Sequence, residues 1–69
     1  MTELSRAAVE RIIKNAGAER VSADATETLA RLMEEHGTFL AREARKMSDH
    51  AGRKTLRGSD IQMAAEMFK

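Results

Sequence analysis

The sequence contains no cysteine, proline, tryptophan or tyrosine, and its two phenylalanines are the only aromatic residues among 69. Without cysteine there is neither a disulfide framework nor a thiolate zinc site, the two usual staples of a very small domain. Without proline no helix is interrupted by a residue that cannot donate its N–H. Large apolar side chains are also scarce. The hydrophobic fraction is 42%, but twelve of those residues are alanine, leaving Val, Ile, Leu, Met and Phe to supply a thin core. Oligomerisation is the remaining remedy for such a chain. No apolar run approaches the roughly 18 residues of a membrane span. The start Met1-Thr2-Glu3-Leu4 lacks the basic-then-apolar layout of a secretion signal. A soluble intracellular protein with no membrane partner is therefore expected.

The formal charge is +1, so net charge announces no polyanionic ligand, and distribution has to decide. Residues 24 to 35 hold Asp24, Glu27, Glu34 and Glu35 against Arg31, whereas residues 53 to 57 hold Arg53, Lys54 and Arg57 with no acid.

Helix formers dominate, and the glycines stand mainly where helices should stop, which predicts an all-α chain forming one domain over residues 1–69. A first helix fits about Leu4 to Ala16, with Val9, Ile12, Ile13 and Ala16 at helical spacing and Gly17 just past its end. Arg11, Lys14 and Asn15 fall on its other side. A short connection with Val21 as its one large apolar residue leads to Ser22, a good N-cap, with Asp24 in the following first turn. Ala25, Leu29, Leu32, Met33, His36, Leu40, Ala44, Met47 and Ala51 then recur at steps of three, four and seven until Gly52. That helix of roughly 29 residues spans about 43 Å, more than so small a chain covers alone. Gly37 at its centre predicts a close helix crossing. A second connection anchored by Leu56 follows, and Ser59-Asp60-Ile61-Gln62 reads as a capping box with Ser59 as N-cap of a last helix running to about Phe68. Its buried side is expected to carry Ile61, Ala64, Ala65 and Phe68.

Two strings flank the long helix: Arg11-Ile12-Ile13-Lys14 continuing into Ala16-Gly17-Ala18-Glu19-Arg20-Val21-Ser22, and Ala51-Gly52-Arg53-Lys54-Thr55 followed by Asp60-Ile61 and Ala64. Over nearly its whole length the chain resembles the histone fold, and specifically the tailless archaeal histones. The resemblance implies an intertwined head-to-tail dimer whose long central helices cross. The first connection of one chain would then lie beside the second connection of the other. It also implies that Arg20, Ser22, Lys54 and Thr55 bind double-stranded DNA, with Arg20 entering the minor groove. Arg11 and Lys14 would reach phosphates at the centre of the dimer, and Arg57 would add another contact. Wrapping by phosphate contacts and groove arginines needs no base reading, as in the nucleosome, the standard example of this mode. By the same implication Arg53 and Asp60 form a structural ion pair. Met47, His50, Asp60 and Met63 would meet a second dimer in a four-helix contact, made tighter at pH 6 than at pH 8 by a protonated histidine facing a carboxylate. Paralogous histones are further implied partners, and a cytoplasmic, nucleoid-associated location is implied with them. The chain departs from the family at its start, where Glu3-Leu4-Ser5-Arg6-Ala7-Ala8 replaces the usual proline-containing segment.

His36 and His50 do not form a metal site: fourteen helical residues separate them by roughly 21 Å, and neither has a ligand three or four residues away. No cofactor is expected. An enzyme is not expected either, for want of a nucleophile–base–orienter set, a glycine-rich phosphate loop or a convergent carboxylate pair. The expected function is sequence-tolerant binding, bending and compaction of double-stranded DNA by a homodimer that assembles further. The alternatives are a histone-fold subunit of a transcription-factor-type heterocomplex and a purely structural helical oligomerisation module.

Overall fold

The computed structural model describes residues 4–69 as three helices: α1 (Arg6–Asn15), α2 (Ala23–His50) and α3 (Gly58–Met67). There is no strand among the described residues. This is the all-α, short–long–short order expected of the sequence. The chain divides into two compact units, one reaching to Glu35 and one from His36 to Lys69. Residues of α2 contribute to both.

In the first unit, α1 starts where Ser5 adopts an extended conformation and its Oγ accepts the N–H of Ala8 at 3.3 Å. Capping of this kind satisfies one of the N–H groups that a helix start leaves unpaired. The helix therefore begins two residues after the expected Leu4, at the point where Ser5 caps it. At the other end the N–H of Gly17 donates to the Lys14 carbonyl at 2.9 Å with φ at +112°, a backbone region that glycine enters without steric cost. Val9 of α1, together with Thr26 and Ala30 one helical turn apart on α2, supplies the buried side chains of this unit. The buried Thr26 hydroxyl donates to the Ser22 carbonyl at 3.3 Å, so it is not left unpaired. Arg6 ties α1 to α2 through Glu27 at 3.4 Å.

The second unit buries only small or paired groups: Ala44, Ser48, Asp60 and Ala64. Their i, i+4 spacing on α2 and on α3 presents a narrow small-residue stripe on each helix. α2 ends in a Schellman motif: the Gly52 N–H donates to the Asp49 carbonyl at 3.0 Å and the Arg53 N–H to the Ser48 carbonyl at 2.9 Å, with Gly52 at φ +70°. The rings of Phe39 and Phe68 meet edge to face, with centroids 5.1 Å apart.

α3 starts earlier than the capping-box reading predicts. Arg57, not Ser59, is the N-cap, and Asp60 at the third helical position accepts the Arg57 N–H at 2.8 Å. A guanidinium has no acceptor atom, so only the carboxylate half of a reciprocal box is present. Ser59 lies inside the first turn. At the far end Ala65 and Phe68, expected on the buried side, are exposed, and α3 ends at Met67.

Periodicity identified the apolar faces, yet one chain covers them poorly. Among the described residues Val9 is the one large side chain that is fully buried, while Ile12, Leu32, Phe39, Leu56, Met63, Met67 and Phe68 keep between 39% and 64% of their surface exposed. His36 is exposed as well.

Candidate nucleic-acid interface

The first connection presents Arg20 and Ser22, both exposed. Ser22 is held by the start of α2. Its Oγ accepts the Ala25 N–H at 3.0 Å, and its carbonyl accepts from both the N–H and the hydroxyl of Thr26. A capping serine uses its oxygen as acceptor and keeps its hydroxyl proton for an outside acceptor such as a phosphate. Arg20 projects from the short stretch preceding this cap.

The second connection is organised around one side chain. Arg53 donates from Nη2 to Asp60 Oδ1 at 2.8 Å and from Nη1 to Asp60 Oδ2 at 3.0 Å, a bidentate fork on a carboxylate that is only 7% exposed. Nη1 also donates to the Thr55 carbonyl at 3.1 Å. Arg53 thus grips the connection from within. Its own N–H anchors the end of α2, its guanidinium reaches α3, and the backbone carrying Thr55 is pinned to it. Charge-assisted forks of this type are geometrically selective. The Arg53 hydrogen bond, reinforced by the backbone N–H of Arg57, lowers the Asp60 carboxyl from the ordinary 3.8 to about 2, and Arg53 is raised in return. Lys54, Thr55 and Arg57 stand exposed on this tied stretch. One segment therefore offers two free cations and a hydroxyl, while the third cation is consumed in holding their backbone.

On α1, Arg11 and Lys14 are exposed and line a shallow depression with Ala7, Glu10 and Asn15. Lys14 is not free there, since its Nζ lies 3.3 Å from Glu10 Oε1. The spacing of four residues between Glu10 and Lys14 is the signal by which this pair is legible in the sequence. Met47 is half-buried, whereas His50 and Met63 are exposed. Asp60 accepts three hydrogen bonds from its own chain, two on Oδ2 and one on Oδ1. Any further donor must use what is left on Oδ1, and the charge it meets there is already neutralised by Arg53. Arg31 and Glu35 pair with each other at 3.6 Å, and Glu66 pairs with Lys69 at 3.9 Å.

The residues expected to bind DNA thus fall into a pair on the first connection, a trio on the second and a pair on α1. No group of three or more His, Asp or Glu side chains able to hold a metal occurs among the described residues. Among the same residues no helix is long and apolar enough to cross a membrane.

Residues 2–65 match the family described as histone-like transcription factor (CBF/NF-Y) and archaeal histone. Over 66 residues the chain is 42% identical to a subunit of the archaeal histone HAN1 from Thermococcus zilligii, covering 96% of this chain and 98% of that protein. It is 41% identical over 64 residues to probable archaeal histone 3 of Methanocaldococcus jannaschii, covering 93% and 96%.

Proposed function

The chain belongs to the family of histone-like transcription factors and archaeal histones, and from that premise we propose that it binds and compacts double-stranded DNA without reading its sequence, as a homodimer that assembles further. In this reading residues 1–69 act as a single histone-fold domain, associated with the chromosome and without catalytic activity. The two long helices cross near Gly37. The first connection of one copy, with Arg20 and Ser22, meets the second connection of the other, with Lys54, Thr55 and Arg57. Arg11 and Lys14 of both copies address phosphates at the middle of the dimer. Arg20 enters the narrow minor groove, where the negative potential favours a guanidinium. Met47, His50, Asp60 and Met63 join one dimer to the next.

The observation that carries the reading is the second connection. Asp60 and the Thr55 carbonyl hold Arg53 inward, so that Lys54, Thr55 and Arg57 project from a stretch whose backbone is already tied. Besides capping α3, the buried Asp60 carboxylate fixes the stretch from which the exposed cations project, and that second consequence favours a DNA-facing surface over a purely structural module. The half-exposed Ile12, Leu32, Phe39, Met63 and Phe68 support a second copy as the cover of the apolar faces. The test is nuclease digestion of mixed-sequence duplex saturated with the protein. A ladder of protected lengths is expected from dimers adding stepwise, and one discrete short length indicates assembly that closes after a few dimers. Absence of protection at low salt refutes DNA compaction, and a protein that stays unfolded until another histone-fold chain is added refutes the homodimer.

A further inference from the structure

The proposed DNA-facing surface of α1 carries a charge opposed to its function. Arg11 and Lys14 line the same depression as Glu10, and the Glu10 carboxylate lies 3.3 Å from the Lys14 ammonium, one turn away on the helix. Both side chains are about half exposed, 45% for Glu10 and 52% for Lys14, so neither is locked by packing. A phosphate approaching Lys14 meets an ammonium that is already paired and a carboxylate beside it. Arg6 has its own counter-ion in Glu27, on α2. Of the five cations assigned to DNA, Arg11, Arg20, Lys54 and Arg57 form no ion pair among the described residues, and Lys14 alone is matched by an acid, on the proposed DNA-facing side.

We propose that Glu10 is an affinity-setting residue: it acts as an internal counter-ion that competes with DNA phosphate for Lys14 and so holds the central contact of the dimer below its full strength. The inference rests on the DNA-binding reading given above. Its physical consequence concerns counterions. A lysine that neutralises a phosphate releases a cation from the duplex, and each such contact steepens the fall of log affinity with log salt by about 0.9. A lysine that stays on its own carboxylate releases none. Glu10 thus lowers both the affinity and its salt dependence, and it does so at a point where both copies of the dimer contribute the same pair.

Glu10→Gln tests this while keeping a good helix former of nearly the same shape. At low salt the variant should bind mixed-sequence duplex several-fold more tightly than the wild type, and its log–log salt slope should be steeper by up to about 0.9 per chain. In a Lys14→Gln background the same substitution should gain nothing. Glu66→Gln, which changes net charge equally but leaves the Lys14–Glu10 pair intact, should not reproduce the steeper slope. If the wild type shows no salt-dependent binding, the DNA reading itself fails. If the wild type binds and Glu10→Gln matches it in affinity and slope, the DNA reading stands and the role of Glu10 is overturned. A gain that persists without Lys14, or that Glu66→Gln equals, overturns it as well.

Discussion

Replacing Gly37 by alanine decides whether a second helix crosses α2 at its middle, because the two possibilities predict opposite signs. Gly37 lies well inside α2, does not have positive φ, and a Cβ placed on it meets nothing within 4 Å in its own chain. Within one chain, then, the substitution has only a benefit: alanine is favoured over glycine in a helix interior by about 0.8–1 kcal/mol. In a domain of this size each kcal/mol moves the melting temperature by roughly 4–8 °C. A solvated α2 would therefore melt roughly 3–8 °C higher with alanine at this position. A crossing reverses the outcome. Both copies then add a methyl to the same contact, and overpacking at about 1–3 kcal/mol for each intrusion outweighs the gain of about 1 kcal/mol in helix propensity over most of that range. We expect a lower melting temperature at matched chain concentration and weaker self-association. Circular dichroism melts at two widely separated concentrations and sedimentation equilibrium measure both. A rise of roughly 3 °C or more with unchanged self-association refutes a close approach at Gly37.

Arg20→Ala should reduce the bend imposed on a duplex more than it reduces affinity, measured by end-to-end energy transfer beside a binding titration; an unchanged bend at full occupancy removes Arg20 from the groove. Lys54→Ala should weaken binding uniformly across sequences and flatten the salt slope by about 0.9 for each phosphate no longer neutralised, so an unaltered slope detaches Lys54 from phosphate. Asp60 makes folding pH-dependent in a defined direction. With the folded carboxyl lowered from 3.8 to about 2, its contribution is complete above the unfolded value and disappears as pH falls through the folded one, a window from about pH 4 down to about 2. Asp60→Asn should be less stable than the wild type at neutral pH and should lose less on acidification through that window. Parallel stability–pH curves for the two proteins contradict the assignment.

The helix order, the terminating glycines Gly17 and Gly52 and the Ser22 cap were all legible from composition and spacing, because each depends on residues within one or two turns of one another. The start of α3 was not. Ser59-Asp60-Ile61-Gln62 has the letters of a capping box. Yet Asp60 is drawn by Arg53, seven residues earlier, into a position where it accepts the Arg57 N–H, and the helix starts at Gly58 instead. A local pattern yielded to an ion pair that spans the connection. The apolar face of α2 was likewise legible in its period, but period alone does not say what covers a face: Leu32 and His36 fit the pattern and are exposed in the single chain. Of the candidate site, the two connections are legible in the long strings that contain them, and no feature of Arg20 or Lys54 in isolation marks either residue. The Glu10–Lys14 pair is legible only when each cation is taken together with the residue four positions before it.

The Schellman turn at Gly52 and the grip of Arg53 on Thr55 have a consequence for the mechanics of the complex. Freedom surrendered during folding is not surrendered a second time on binding, so a loop whose backbone is already tied at both ends positions its donors with little further loss of backbone entropy, and also cannot mould itself to a rigid rod. In the proposed complex the duplex would then be the compliant partner, and the elastic work of association would fall on it. That work differs among sequences, since pyrimidine–purine steps kink easily and A-tracts resist. A protein that touches no base edge would in this way still sort genomic segments, ranking them by stiffness.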